Sequence, residues 1–404
     1  MIYDLVVVGG GAAGFFGAIE TATRKPGYRI VILEKTTRLL AKVKVSGGGR
    51  CNVTHHSFSP AALSQHYPRG QKAAKKWFHN FQAEDTVAWF AQRGIALKTE
   101  DDGRMFPESD DSQTIIDCFL TEAERLRIQI KTSVEVTALQ QEDNLYLLTT
   151  TGGIYRTKKI LVAMGGHAKS SAYDWLRTAG HIIDPPIPSL FTFNDSEKDF
   201  TNLMGVAVPS AEVKIATTRF SQRGALLITH WGLSGPAVIK LSAWAAEHLF
   251  RCNYVFTAIV NWTGLPEKEL RKVIDEVRSA HPRQSVMANT LFGLPKRLWE
   301  LLCERADIPV GKAWGELGQK TINRLVEGLF ASSFAIRGKT TFKEEFVTCG
   351  GVSLTEVETY TLESKKLPGV FFAGEVLNVD GETGGFNFQA AWTTAWLAAR
   401  SITA

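Results

Sequence analysis

Cysteine is scarce and scattered in this sequence of 404 residues: five residues, at 51, 118, 252, 303 and 349, with no Cys-x-x-Cys pair. The odd count and wide spacing argue against a disulfide framework and a thiolate zinc site, so a reducing, cytoplasmic setting without a metal is expected. Long hydrophobic runs are missing too. The longest, Leu5 to Ile19, is too short and too rich in glycine to span a bilayer, so no membrane partner is expected. Nor is charge of one sign concentrated: 46 Lys and Arg face 41 Asp and Glu, a net +5. That balance makes nucleic acid an unlikely partner at this stage, and the densest basic cluster, Arg69, Lys72, Lys75 and Lys76, reads as a solvated helix face. Only one Gly-x-Gly-x-x-Gly occurs, so a dedicated nicotinamide domain is not expected.

What is present starts at the amino terminus. In "YDLVVVGGGAAGFFGAIETATR" a β-branched run, Leu5 to Val8, reads as a strand buried on both faces of a parallel sheet. Gly9, Gly11 and Gly14 follow as GxGxxG, and an alanine-rich helical stretch follows them. Gly9 serves the tight turn, Gly11 the approach of backbone to a pyrophosphate, and Gly14 the packing of helix on strand. The helix amino terminus meets the phosphate charge. A second apolar run, Arg29 to Leu33, ends at Glu34, twenty residues after Gly14. A carboxylate there can accept from a ribose hydroxyl pair and repels a 2′-phosphate, so the site suits FAD or NAD better than NADP.

Two later segments bear on that choice. In "KKILVAMGG", Lys158 to Gly166, a strand ends in a glycine pair after what looks like a β-meander. In "PGVFFAGEVLNVDGETGGFNFQAAWTTAWLAA", Pro368 to Ala399, a buried strand ends at Gly374-Glu375, and a helix begins near Asn387. This arrangement resembles two-part flavoproteins of the glutathione-reductase and fumarate-reductase kind. The resemblance implies that Gly374 and Glu375, here in place of the usual Asp, meet the ribityl and pyrophosphate. It also implies that the last helix aims its amino terminus at the flavin pyrimidine, where its dipole favours negative charge.

Five motifs in order, "VVVGGGAAG" (6–14), "KVSGGGRCNVT" (44–54), "THWGLSGPAVIKLS" (229–242), "VTCGGVSLTEV" (347–357) and "LESKKLPGVFFAGEVLNVDGETGGFNFQAAW" (362–392), resemble a bacterial family of FAD/NAD(P)-dependent oxidoreductases. Some of its members are named bile-acid dehydro-steroid reductase or aminoacetone oxidase. Asn378, Ala390 and His55 depart from the family pattern. The resemblance implies a cofactor set drawn from the motifs and their flanks: Gly9, Gly11, Ala13, Gly14, Glu34 and Lys35 at the amino end, then Lys42, Ser46, Gly47, Gly48, Arg50, Cys51 and Asn52. Val134, through its backbone at the adenine, Ala163 and Gly165 follow, then Gly374, Glu375, Gly384, Gly385, Phe386, Asn387 and Gln389. Asn52, Asn387 and Gln389 are expected at the flavin edge.

The rest of the chain supplies inserts. "PPIPSLFTF" marks a Pro-rich boundary, residues 190–262 alternate as strands, and 266–330 read as helices, with Pro266 at N1 of the first. The expected fold class is α/β. A Rossmann-like FAD-binding domain is built from residues 1–188 and 347–404, with a β-rich insert at 189–265 and 332–346 and a helical insert at 266–331 that would help shape a substrate cavity. No acid–base constellation is forced by spacing. His230, between glycine-containing flanks, and Asn52 are candidates for substrate chemistry. Trp231 reads as core or as a stacking surface. Cys349 reads as a small buried residue, and Cys51 beside Arg50 could form a low-pKa thiolate but lacks a Cys-x-x-Cys partner.

An FAD-dependent oxidoreductase is expected, one that takes hydride from NADH or NADPH and reduces a small enone-like molecule. The alternatives are an oxidase passing hydride from an amine or alcohol to O₂, and an RNA-associated or regulatory flavoprotein.

Overall fold

The computed structural model describes residues 1–197, 200–340 and 347–404. The described chain forms two compact units, Met1–Ser189 with Lys343–Ala404, and Leu190–Phe342. The last six residues of the expected 332–346 stretch lie outside the described residues.

The first unit is the expected Rossmann-type layer. Strand β1 (Ile2–Val8) sits centrally, parallel to β2 (Ile30–Leu33) and to the strand Gly153–Val162. Gln129–Lys131 extends the sheet beyond β2, also in parallel. The ten-residue strand Gly153–Val162 has two partners on one side. Its first half pairs antiparallel with Leu145–Thr150, and its last three residues pair parallel with Val370–Phe372. The carboxyl-terminal strand is thereby held next to the amino-terminal fingerprint. Leu5, Val6 and Val7 are fully buried, as expected of a strand covered on both faces.

Helix α1 (Ala12–Arg24) packs on the carboxyl-terminal helix Phe386–Thr403. Phe16, Trp89, Phe119 and Trp392 stack at ring distances of 4.6–5.7 Å beneath them. The stretch "IQIKTSVEVTALQ" is two strands, because Ser133 takes a positive φ of 59° and breaks the run.

The second unit holds a closed barrel of six strands in the order Thr192–Asp195, Gly232–Ser234, Ser221–Ile228, Ala207–Ile215, Val255–Asn261 and Ser332–Thr340. The helices Glu267–Ala280, Lys296–Arg305 and Gln319–Phe330 share its hydrophobic core, which includes Trp262, Trp299 and Trp314. Pro266 caps the first of these helices and does not open it, since its ψ of 146° is extended. Two helices, Pro236–Trp244 and Ala246–Arg251, interrupt the stretch that reads as strands. The first is buried along most of its length, so its amphipathic period is weak, and the second is only six residues long.

Candidate cofactor and active site

The GxGxxG turn is set by steric limits. A Cβ on Gly14 would fall 2.0 Å from the Gly9 carbonyl oxygen, and one on Gly9, whose φ is +113°, would fall 2.4 Å from that of Ala163. Gly11 differs: a Cβ there meets nothing within 4 Å. It caps α1, so open space lies at the positive end of that helix. Beside it, Glu34 Oε2 accepts from the Gly10 N–H at 2.9 Å, while Oε1 accepts from the N–H and hydroxyl of Thr36 at 2.9 and 2.8 Å. These donors fix the carboxylate next to the turn. Thr36, which the sequence reading passed over, could have been found from its position two residues past the acid. The Val134 N–H donates to the Glu34 carbonyl at 2.9 Å, which leaves the Val134 carbonyl as its group for an adenine.

Across the sheet, Gly374 comes against α1, since an added Cβ would lie 2.9 Å from Ala13 Cβ. Glu375 Oε2 accepts from Lys42 Nζ at 2.6 Å, and Oε1 from the Thr348 N–H at 2.9 Å. His167, also passed over although it directly follows Gly165-Gly166, accepts at Nδ1 from Lys35 Nζ at 3.3 Å. Its Nε2 faces the Met164 carbonyl at 3.1 Å and is assigned as the donor. Burial, with Lys35 and Lys42 nearby, pushes its pKa down to about 4, so the ring is neutral near pH 7. Lys35, Lys42, Gly374 and Glu375 thus converge with the fingerprint, as does Ala163 through Gly9. Gly165, whose φ is +75°, borders open space.

The stretch "KVKVSGGGRCNVT" falls at the end of α2 (Ala41–Gly49). Ser46, Gly47 and Gly48 leave helical geometry, the two glycines with φ of 59° and 70°. Added Cβ atoms at Gly48 and Gly49 meet nothing within 4 Å, whereas one at Gly47 would meet Phe106 at 2.8 Å. Ser46 donates to the Val43 carbonyl at 3.0 Å, and its own carbonyl accepts the Cys51 N–H at 2.9 Å. Arg50 lies over the Phe106 ring at 4.0 Å and donates to Glu100 Oε1 at 2.6 Å. Cys51 is buried and its thiol pKa is pushed up to about 12, chiefly by desolvation, which disfavours the thiolate.

Three side chains expected at the flavin edge bind protein groups. In the amide orientation that satisfies its neighbours, Asn52 accepts from the Gly385 N–H at 2.9 Å and donates to the Thr54 carbonyl at 3.0 Å. Asn387 closes on Gly381, accepting from its N–H at 2.8 Å and donating to its carbonyl at 3.0 Å. Gln389 is a correction to the sequence reading: it is fully buried, accepting from Thr54 and Thr86 at 2.6 and 2.9 Å and donating to Thr393 at 3.0 Å. A glutamine one turn inside a buried helix faces the core and not its end. Gly385 caps that helix, and Gly384 and Phe386 flank it against His55, whose ring lies 4.6 Å from that of Phe386.

Arg69 leaves the expected basic face. It forms a two-pronged pair with the fully buried Asp380, to which Ser189 also donates at 2.7 Å.

His230 lies in the other unit, exposed at the Thr229–Gly232 turn, with its ring 4.3 Å from that of Trp231. Trp231 is half-buried and its indole N–H donates to Thr192 at 3.0 Å. Among the described residues no cluster of three or more His, Cys, Asp or Glu could hold a metal, and no helix is long and apolar enough to cross a membrane.

The open cradle at Gly11, the fixed Glu34 carboxylate and the glycine-lined end of α2 fit an FAD. Gly11, Ala12 and Ala13 backbone would hold the pyrophosphate, Glu34 the adenosine ribose, and Glu375 with the start of the last helix the ribityl–flavin end.

Residues 3–401 match the family of the HI0933-like protein Rossmann domain. The ribosomal RNA dihydrouridine synthase of Escherichia coli K12 is 30% identical over 412 residues, covering 100% of this chain and 98% of its own. The 3-dehydro-bile acid delta(4,6)-reductase of Clostridium scindens is 26% identical, with 98% of each chain covered. Among solved structures, the 3-ketosteroid-delta4-(5alpha)-dehydrogenase of Rhodococcus jostii RHA1 superposes with a TM-score of 0.54 at 13% identity, covering 100% of this chain and 97% of that one. At that identity the likeness speaks for the fold.

Proposed function

The chain belongs to the HI0933-like Rossmann-domain family, and from that premise we propose that it reduces a carbon–carbon double bond conjugated to a carbonyl, with a uridine of ribosomal RNA as the substrate. That it is an FAD-dependent oxidoreductase follows from the family; the bond and the substrate are the proposal.

One observation carries it. Two relatives aligned along nearly their whole length have names that describe the same bond change on unlike molecules. Dihydrouridine is uridine saturated at C5=C6, a bond conjugated to the C4 carbonyl. The delta(4,6)-reductase acts on a 3-dehydro, hence 3-oxo, molecule. Both bonds are conjugated to a carbonyl, which supports an enone-like substrate. The ribosomal RNA relative has the higher identity, which reverses the low rank that composition gave to RNA.

When bound, FAD supplies hydride chemistry at the substrate carbon distal to the carbonyl. The protein's own part is to fix the cofactor through Glu34, Lys42 and Glu375 and to keep the neighbouring His167 uncharged. The net change adds one hydride and one proton across the double bond, and NADH or NADPH restores the hydride. Anaerobic stopped-flow tests this. Flavin bleached by NADPH or NADH should be reoxidised by ribosomal RNA lacking the modification. Reoxidation by a 3-oxo-Δ4 steroid alone would favour the second reading, a small-molecule enone reductase of the bile-acid type.

A further inference from the structure

The net charge of +5 is not shared between the two units. Residues 190–342 carry 19 Lys and Arg against 14 Asp and Glu, whereas residues 1–189 with 343–404 carry 27 of each. Much of the positive charge on the three long helices is neutralised locally, as in Arg271–Glu267, Lys272–Glu276 and Lys296–Glu300. The barrel is different. Its six strands hold four basic residues and two acids, Asp195 and Glu212.

Several of these cations gather at one rim with aromatic rings. Arg337 is exposed and pairs in register with Val255, which is 55% exposed. One residue earlier, the Tyr254 carbonyl accepts the Gly338 N–H at 2.9 Å, and Lys339 Nζ lies 4.9 Å from the Tyr254 ring. Phe250, on the short helix leading into this strand, is 48% exposed with its ring 6.4 Å from that of Tyr254. The turn carrying Arg219 reaches the same edge. Ala216 donates to the Thr257 carbonyl at 3.0 Å, and the Phe220 ring lies 5.9 Å from His248 of the short helix. Among the described residues none of Arg219, Arg337 and Lys339 is in an ion pair. The one acid on the short helix, Glu247, already faces Arg251 at 3.7 Å.

Unneutralised cations beside the exposed Phe250 ring and the half-buried Tyr254 ring match an unpaired nucleic-acid strand, whose phosphates take the cations while its bases stack on the rings. A duplex buries its base faces and would leave Phe250 and Tyr254 without stacking partners. Resting on the RNA reading above, we propose that this barrel rim, centred on Phe250, Tyr254, Arg337 and Lys339, binds an unpaired stretch of the RNA substrate.

The test uses the FAD-loaded full chain with fluorescein-labelled oligouridine, a labelled RNA duplex, total ribosomal RNA, and vesicles of phosphatidylglycerol and phosphatidylcholine. Wild type should bind oligouridine more tightly than the duplex. The double variant Arg337→Gln/Lys339→Gln should weaken binding at least about tenfold and flatten the log–log salt slope by about 0.7 per contact removed. Phe250→Ala should weaken binding roughly fivefold or more while leaving the slope unchanged. Lys272→Gln, on a long helix, should change neither. Flavin absorbance and melting temperature should be unaltered in all of them. If wild type binds oligouridine and the rim variants bind equally well, the rim assignment is wrong and the RNA substrate stands. If wild type binds neither oligouridine nor ribosomal RNA, the RNA substrate falls and takes the rim with it. Vesicle binding lost in the rim variants, without RNA binding, would make this a lipid surface and overturn the proposal.

Discussion

Lys42 donates to Glu375 at 2.6 Å, joining two residues that lie 333 positions apart. The contact ties the helix ahead of the triple glycine to the turn after the carboxyl-terminal strand, and a backbone N–H from Thr348 holds the other carboxylate oxygen. Glu375 is thus aimed by its neighbours, and its longer side chain can stand in for an aspartate. Replacing Glu375 with Ala should raise the FAD dissociation constant about tenfold, the effect of one charge-assisted hydrogen bond, as read by recovery of flavin fluorescence. Lys42→Met should do less, because Lys42 is half-exposed and water can replace it.

Gly11 and Gly14 should separate binding from folding. Gly14→Ala places a methyl 2.0 Å from a backbone oxygen, an overlap that should cost roughly 1–3 kcal/mol or more and lower the melting temperature of the cofactor-free protein. Gly11 has a φ of −95° and open space around it. Gly11→Ala should therefore melt like wild type without cofactor yet bind FAD at least about tenfold more weakly, because its methyl occupies the phosphate approach. Equal FAD affinity in Gly11→Ala would move the pyrophosphate elsewhere.

His167 makes stability depend on pH. Its folded pKa of about 4 is below the ordinary value of 6.5. The unfolded chain therefore takes up a proton there before the folded chain does. The contribution is fully present above pH 6.5 and is lost as pH falls toward 4, on the order of 3 kcal/mol in all. His167→Asn should lose less stability than wild type between pH 7.5 and pH 4.5 in urea titrations. Parallel curves would mean that the ring is not held neutral.

Arg69 and Asp380 form a buried pair, with the carboxylate fully out of water. Arg69→Met would leave that carboxylate without its cation and should destabilise the protein by about 3–5 kcal/mol. Arg69→Met/Asp380→Leu should recover much of this, because no charge then stays buried. Chemical denaturation of the four members of the cycle measures the coupling.

The amino-terminal half of the cofactor cradle was legible because it is local. Strand, glycine turn, helix and Glu34 lie within 33 residues of one another, and each glycine has a steric reason visible from spacing. Residues whose roles depend on contact at long range were not legible. Arg69 looked like part of a solvated face because Asp380 lies 311 positions away, and Gln389 looked like an edge residue because Thr54 lies 335 positions away. The helices Pro236–Trp244 and Ala246–Arg251 stayed hidden for another reason: the first is buried along most of its length and lacks the apolar stripe that marks a surface helix, and the second is only six residues long. The barrel rim escaped notice because its cations and rings come from segments far apart in the sequence.

The most direct measurement is mass spectrometry of digested ribosomal RNA taken from cells lacking this gene, after incubation with the FAD-loaded protein and NADPH or NADH under anaerobic conditions. Dihydrouridine should appear at a defined position, with a gain of two hydrogens, and only when both protein and reductant are present. Unmodified uridine throughout, in a preparation that still consumes NADPH or NADH with a steroid enone or with O₂, would contradict the assignment.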